Sequence, residues 1–130
     1  WWWLEATAGR WNAVVELDEA TGAYHSVLPL PSHWRPWGRE VYQPHFSQQL
    51  GLLTTPASQH VELSEYLALL PGRYARFYTQ LRTGPAPEVP PGFVVTPRHT
   101  YQLDLARSYD DLLRGYTAEL RRRLLRYREQ

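Results

Sequence analysis

The chain has 130 residues and a mass of 15.2 kDa, enough for one domain around one modest core. Hydrophobic residues make up 43% and charged residues 21%, the balance of a soluble globular protein and not of a disordered one. The 14 basic and 13 acidic residues leave a net charge of +1, so no bulk field draws the molecule onto nucleic acid or a membrane, and any basic site has to be local.

Residues 1–8, WWWLEATA, read as the last turns of a helix, with Gly9 as its terminator. Trp11 to Leu17 and Ala23 to Leu30 read as strands, joined into a hairpin by the short turn Asp18-Glu-Ala-Thr-Gly22. Pro29 and Pro31 end the second strand or mark it as an edge. A turn holding Trp34 and Trp37 covers 32–38, and a third strand, broken at Pro44, covers 39–46. The loop SQQLGLLTT follows at 47–55. Thr55 supplies an N-cap and Pro56 a first helical position, so a helix is expected over 57–70. Its apolar side carries Val61, Tyr66, Leu67 and Leu70, and Pro71-Gly72 stops it.

Residues 73–81 read as a further strand, and 84–92, GPAPEVPPG, as a Pro-rich connector without regular structure. Residues 93–105 give one or two strands in which Tyr101, Leu103 and Leu105 alternate with polar residues. A basic amphipathic helix is expected over 108–129, with Asp111 three residues after Ser108 as a weaker relative of the capping box. Its stripe is Tyr109, Leu112, Leu113, Tyr116, Leu120, Leu124 and Tyr127. This order predicts a single α+β domain with a mixed, mostly antiparallel sheet flanked by helices.

Cysteine is absent, which removes disulfides, thiolate metal sites and cysteine nucleophiles. Every basic residue is Arg, so Schiff-base chemistry on lysine is excluded. No run of ~18 apolar residues exists for a membrane span, and no signal-peptide pattern is present. The expected location is cytoplasmic. His25, His33, His45, His60 and His99 show no metal-ligand spacing, so no metal is expected. The chain opens on Trp1-Trp2-Trp3 without a Met and closes inside a helical pattern, which reads as a piece of a longer chain.

In the loop, a Gln, a Gly three residues on and a following helix is one way to cradle a diphosphate, because orphan N–H groups and the helix dipole favour anions. The phrases VLPLP (27–31), YQPHFSQQLGL (42–52) and SYDDLLRGYTAELRRRLLR (108–126) together resemble bacterial FemAB-like proteins of the GNAT (acyl-CoA N-acyltransferase) superfamily. The resemblance implies a GNAT-like fold and the N-terminal half of a two-half acyltransferase, which transfers an acyl or aminoacyl group to an amine. Gln48, Gln49 and Gly51 would form the cofactor loop, but Leu53 stands where such a loop has Gly or Ala. The loop therefore reads as degenerate, and no cofactor, acetyl-CoA or other acyl donor, is expected for this chain alone.

Amide formation needs a base for the attacking ammonium and an acid for the leaving group. The resemblance points to Glu40, on the third strand, as a base, with Asp104 and Tyr116 as further candidates. Arg121, Arg122, Arg123 and Arg126 are either a solvated face complementing the helix dipole or a site for phosphates of a polyanionic substrate. No base-reading motif accompanies them, so sequence-specific nucleic-acid binding is not expected. Trp34 and Trp37 are either a stacking wall for a sugar or peptide or ordinary interface anchors. The partner is a second GNAT-like half or a second copy. Two alternatives stand beside the acyltransferase half: a non-catalytic module that homodimerises through its Trp-rich end and last helix, and a self-sufficient small acetyltransferase.

Overall fold

The computed structural model describes residues 2–70, 72–82 and 84–128. Expectations that fall on Trp1, on Pro71 as a helix stop and on residue 129 as a helix end lie outside the described residues. The chain divides into two compact units, Trp1–Arg98 and His99–Gln130.

In the larger unit, α1 (Trp2–Ala8) buries Leu4 and ends where Gly9 takes φ +66°. A left-handed residue suits glycine because no Cβ meets the following carbonyl. The Ala8 carbonyl accepts from Arg10 N–H (2.6 Å) and from the Tyr42 hydroxyl (3.2 Å). β1 (Trp11–Leu17) and β2 (Tyr24–Arg35) form the expected antiparallel hairpin, from Trp11 opposite Pro31 to Glu16 opposite Ser26, with a bulge at His25 before Leu17 meets Tyr24. Asp18 holds the turn by accepting from Ala20 N–H (3.0 Å) and Thr21 Oγ1 (2.5 Å).

β2 runs through both prolines, which the sequence reading takes as ending the strand or marking it as an edge. β3 (Gly38–Val41) pairs antiparallel with Ser32–Arg35, and β4 (Leu53–Thr54) pairs antiparallel with Ser26 and Val27. Ser32 N–H donates to Arg10 O (3.2 Å) at the β1 edge, whereas Thr55 N–H reaches His25 O (2.9 Å) and Tyr42 N–H reaches Pro31 O (3.0 Å) at the other edge. Odd-numbered residues of β2 thus turn their backbone groups away from β1. The ring nitrogen of Pro29 falls between these two short partners, whereas Pro31, opposite Tyr42, accepts the Tyr42 N–H and has no N–H to return. β5 (Arg76–Phe77) joins β3 in parallel. The sheet order is β1-β2-β3-β5 with β4 on β2, an open, mostly antiparallel sheet with helices, as the α+β expectation requires.

Other elements are shorter than expected. The third strand stops at Val41, and the chain turns away through Phe46, which has φ +60°. The helix expected over 57–70 contracts to α2 (Leu63–Ala68). Thr55 does not cap it, because the helix begins after Glu62, and Thr55 instead follows β4 with its N–H paired to β2. Instead the Glu16 carboxylate, 42 residues from Ser58, accepts from Ser58 Oγ (2.6 Å), Gln59 N–H (2.9 Å) and His60 N–H (3.4 Å), and this holds the segment as a turn. Val61 is left exposed, and the apolar face runs Leu63, Tyr66, Leu67, Leu70. The strand expected over 73–81 survives only as β5, and no strand forms over 93–105. Phe93 is fixed there by a side chain, packing edge-on against Phe77 with centroids 5.8 Å apart.

The core joins Leu28, Leu30 and Val41 of the sheet to Leu63, Tyr66, Leu67 and Leu70. Val89 of the Pro-rich connector packs against it. Ser32 lies opposite Val41 on the same sheet face and is 3% exposed.

In the second unit, the expected single helix is interrupted: α3 (Tyr109–Gly115) and α4 (Ala118–Arg128) are separated at Tyr116, whose backbone is extended (ψ 155°). Thr117 starts a new helix, its Oγ1 accepting from Leu120 N–H (3.3 Å) and its carbonyl from Arg121 N–H (3.0 Å). Ser108 caps α3 as expected, accepting from Asp111 N–H (3.2 Å). No residue of α3 is buried.

Among the described residues, Ser32 Oγ has no hydrogen-bond partner. A buried hydroxyl without one costs about 1–3 kcal/mol. Ser32→Ala is therefore expected to raise stability by about 1 kcal/mol, read as a higher urea midpoint at unchanged m-value. An unchanged or lower midpoint would contradict the unpaired hydroxyl.

Candidate functional site

The Gln/Gly loop leaves the C-terminal end of β3 and is stitched to the residues after β5. Leu50 N–H donates to Gln80 O (2.7 Å), and Thr79 Oγ1 donates to Leu50 O. Gln43 Oε1 accepts from Gln80 N–H (2.9 Å), while Gln43 Nε2 donates to Ser47 Oγ (2.8 Å). Gln48 and Gln49 are exposed and Gly51 is buried. A Cβ at Gly51 would stand 3.2 Å from Leu81 Cδ2, a close approach to the end of that side chain. The loop runs into β4, and the next helix begins only at Leu63. The helix start that a diphosphate loop requires does not follow it.

Glu40 sits on β3, opposite His33 of β2. Its carboxylate lies 3.7 Å from His33 Nε2 and 3.7 Å from Arg35 Nε. Arg35 Nε–H donates to His33 Nε2 (2.8 Å), and the His33 ring stacks on Tyr42 at 4.4 Å. This carboxylate is thus flanked by an imidazole and a guanidinium on one hairpin. Asp104 and Tyr116 belong to the second unit. Asp104 lies on an irregular segment, not at the end of a strand, and its Oδ1 accepts from Ala106 N–H (2.9 Å). Tyr116 is half-buried at the break between α3 and α4. Of the arginines on α4, Arg122, Arg123 and Arg126 are exposed and Arg121 is half-buried. Nearby, Asp111 is held below its ordinary value by donation from Ser108 and then by Arg114. Among the described residues no group of three or more His, Asp or Glu side chains is placed to hold a metal ion, and no described helix is long and apolar enough to cross a membrane.

Two clefts of the larger unit lie elsewhere, and they share Arg39. One, of about 510 Å³, is lined by Glu5, Gly9, Arg10, Trp11, Asn12 and Arg39. The other, of about 320 Å³, is lined by Trp34, Gly38, Arg39, Gly72, Arg73, Tyr74 and Ala75. Gly9, Gly38 and Gly72 have φ of +66°, +121° and +77°, so each precedes its arginine through a turn that a side chain rarely permits. Ala75 N–H donates to Arg39 O (2.8 Å), and a Cβ at Gly38 would meet Ala75 Cβ at 3.0 Å, which closes the backbones on each other. The Arg39 guanidinium lies 5.7 Å over the Tyr74 ring, and Asn12 Nδ2 donates to the Tyr74 hydroxyl (3.4 Å).

Sequence reasoning singled out Trp34 of this surface as a stacking face but missed its arginines. Their signal is the dipeptide Gly-Arg, which occurs at 9–10, 38–39 and 72–73 and nowhere else in the chain.

Compared with known proteins, the chain matches no protein-family model, no curated protein and no solved structure.

Glu16 was also not singled out from the sequence. Donation from Ser58 Oγ and Gln59 N–H, against the opposing effect of burial, lowers its carboxyl from 4.5 to about 2. Because the folded value is depressed, the stabilisation is complete above about 4.5 and is lost as pH falls toward 2. Glu16→Gln is expected to be less stable than wild type at pH 7, with the gap closing between pH 4.5 and 2 in denaturant titrations. A gap independent of pH would show that the carboxylate charge is not what holds residues 58–60.

Proposed function

We propose that this chain is a GNAT-like half of a FemAB-like acyltransferase, supplying scaffold and acceptor-binding surface to a reaction that transfers an acyl or aminoacyl group to an amine. The observation that carries this reading is the closed Gln/Gly loop. It emerges beside the parallel strand pair β3 and β5, yet its backbone groups at Leu50 are used against Thr79 and Gln80. Groups bonded in this way are not presented to a cofactor diphosphate. In this reading the acyl donor belongs to a second GNAT-like half, and the exposed Arg122, Arg123 and Arg126 meet a polyanionic substrate. Glu40, Asp104 and Tyr116 stay candidates for proton transfer in the assembled enzyme.

Calorimetric titration with coenzyme A and acetyl-CoA tests it. The expected result is no saturable heat at millimolar ligand and no acetyl transfer by the chain alone. Saturable binding with turnover would overturn it in favour of a self-sufficient acetyltransferase, and a parent gene encoding no second acyltransferase-like half would remove the argument altogether.

A second reading draws on exposed apolar side chains. Trp2 is 77% exposed, and Tyr109, Leu120, Leu125 and Tyr127 are exposed on α3 and α4. These suit a non-catalytic module that homodimerises through its Trp-rich end and last helices. Sedimentation velocity separates the readings. Self-assembly predicts a dimer at micromolar chain that Leu120→Glu dissociates, whereas a monomer at every concentration excludes it.

A further inference from the structure

We propose that the surface around Arg39 binds an acidic saccharide, a sugar chain carrying carboxylates. The inference needs neither an acyl donor nor a second half, so it stands apart from the acyl-transfer reading.

All three Gly-Arg dipeptides of the chain converge here, from α1–β1, from the β2–β3 hairpin and from the segment before β5. Among the described residues, Arg10, Arg39 and Arg73 form no ion pair, in contrast to Arg35 and Arg114. Unpaired guanidinium forks suit the planar geometry of a carboxylate, which takes two parallel N–H donors. Arg39 belongs to both clefts, so one ligand spanning them meets Arg10 and Arg39 in the first and Arg39 and Arg73 in the second. That arrangement fits a chain with repeated anionic groups better than a single small anion.

The rest of the lining selects among anionic chains. Glu5 stands in the same cleft as Arg10 and Arg39. Its carboxylate accepts from hydroxyl groups, which every unit of an acidic saccharide carries and a polyphosphate lacks. Asn12, in the same cleft, offers both a donor and an acceptor to hydroxyl groups. Trp34, 72% exposed, gives the second cleft a flat apolar ring on which the C–H face of a sugar can lie. Both clefts fall in or near the ~300–1,000 Å³ range of small-ligand sites.

The probe is trigalacturonate, titrated into the whole chain while following tryptophan fluorescence and heat. Saturable binding is expected, weakened at least tenfold by Arg39→Gln and by Trp34→Ala, and unchanged by Arg98→Gln, an exposed arginine that lines neither cleft. Arg73→Gln, on an exposed turn, is the second variant should Arg39→Gln fail to fold, and the same loss is expected from it. Neutral maltotriose should bind at least tenfold more weakly. Absence of trigalacturonate binding, or equal binding by Arg73→Gln and the wild type, overturns the proposal. Tighter binding of tripolyphosphate or of a short oligo-dT than of trigalacturonate also overturns it, by assigning the surface to phosphates.

Discussion

The larger unit hangs on backbone hydrogen bonding along Tyr24–Arg35. This strand pairs with β1 at one edge and with β4 and β3 at the two ends of the other, while β5 reaches the sheet only through β3. Two prolines sit in it because Pro29 turns its ring nitrogen to the gap between β4 and β3, and Pro31 stands just past the end of β3, where only one return donor is missing. The same strand delivers Leu28 and Leu30 to the core and places Val41 beside them through the hairpin. It also positions the surface chemistry. Ser32 N–H seats the Arg10 carbonyl, and the hairpin that follows Arg35 brings Arg39 against Ala75.

Around this frame, single polar side chains do what regular structure does in larger domains. Glu16 gathers Ser58 Oγ and the N–H groups of Gln59 and His60, while Gln43 gathers Ser47, Thr79 and Gln80. Each side chain satisfies several backbone or hydroxyl groups of a segment distant in sequence, so that segment needs neither helix nor ladder to be fixed. The functional consequence is a division of the surface. Leu50 of the Gln/Gly loop is tied by bonds within the unit, whereas Arg10, Arg39, Arg73 and Trp34 line two clefts that share Arg39.

Much of this was legible where the pattern is local. The β1–β2 hairpin followed from alternation and a Gly-containing turn, and the Ser108 cap from a side chain three residues from its N–H partner. The 108–129 helix was overextended because its apolar stripe continues smoothly through Tyr116, whereas Thr117 makes a competing cap that periodicity does not register. The 57–70 helix failed for a different reason. Thr55-Pro56 is a sound local start, but its competitor is a carboxylate about 40 residues upstream. The candidate site was read from the loop and the arginines of the last helix, since contiguous residues draw the eye. The Gly-Arg dipeptides are separated by roughly 30 residues each and gain meaning only when folded together.

By itself, then, the sequence determined the α+β class, the hairpin, the apolar spacing of Leu63, Tyr66, Leu67 and Leu70, and the absence of thiol and lysine chemistry. These depend on composition or on periodicities of two and three to four residues, which are properties of neighbours. Only the tertiary structure decided how far β2 runs, where α2 begins, that the Gln/Gly loop is closed, and that three arginines share one surface. Each of those is set by hydrogen bonds or packing between segments far apart in the chain, whose strength over the local alternatives exists only once the sheet has formed.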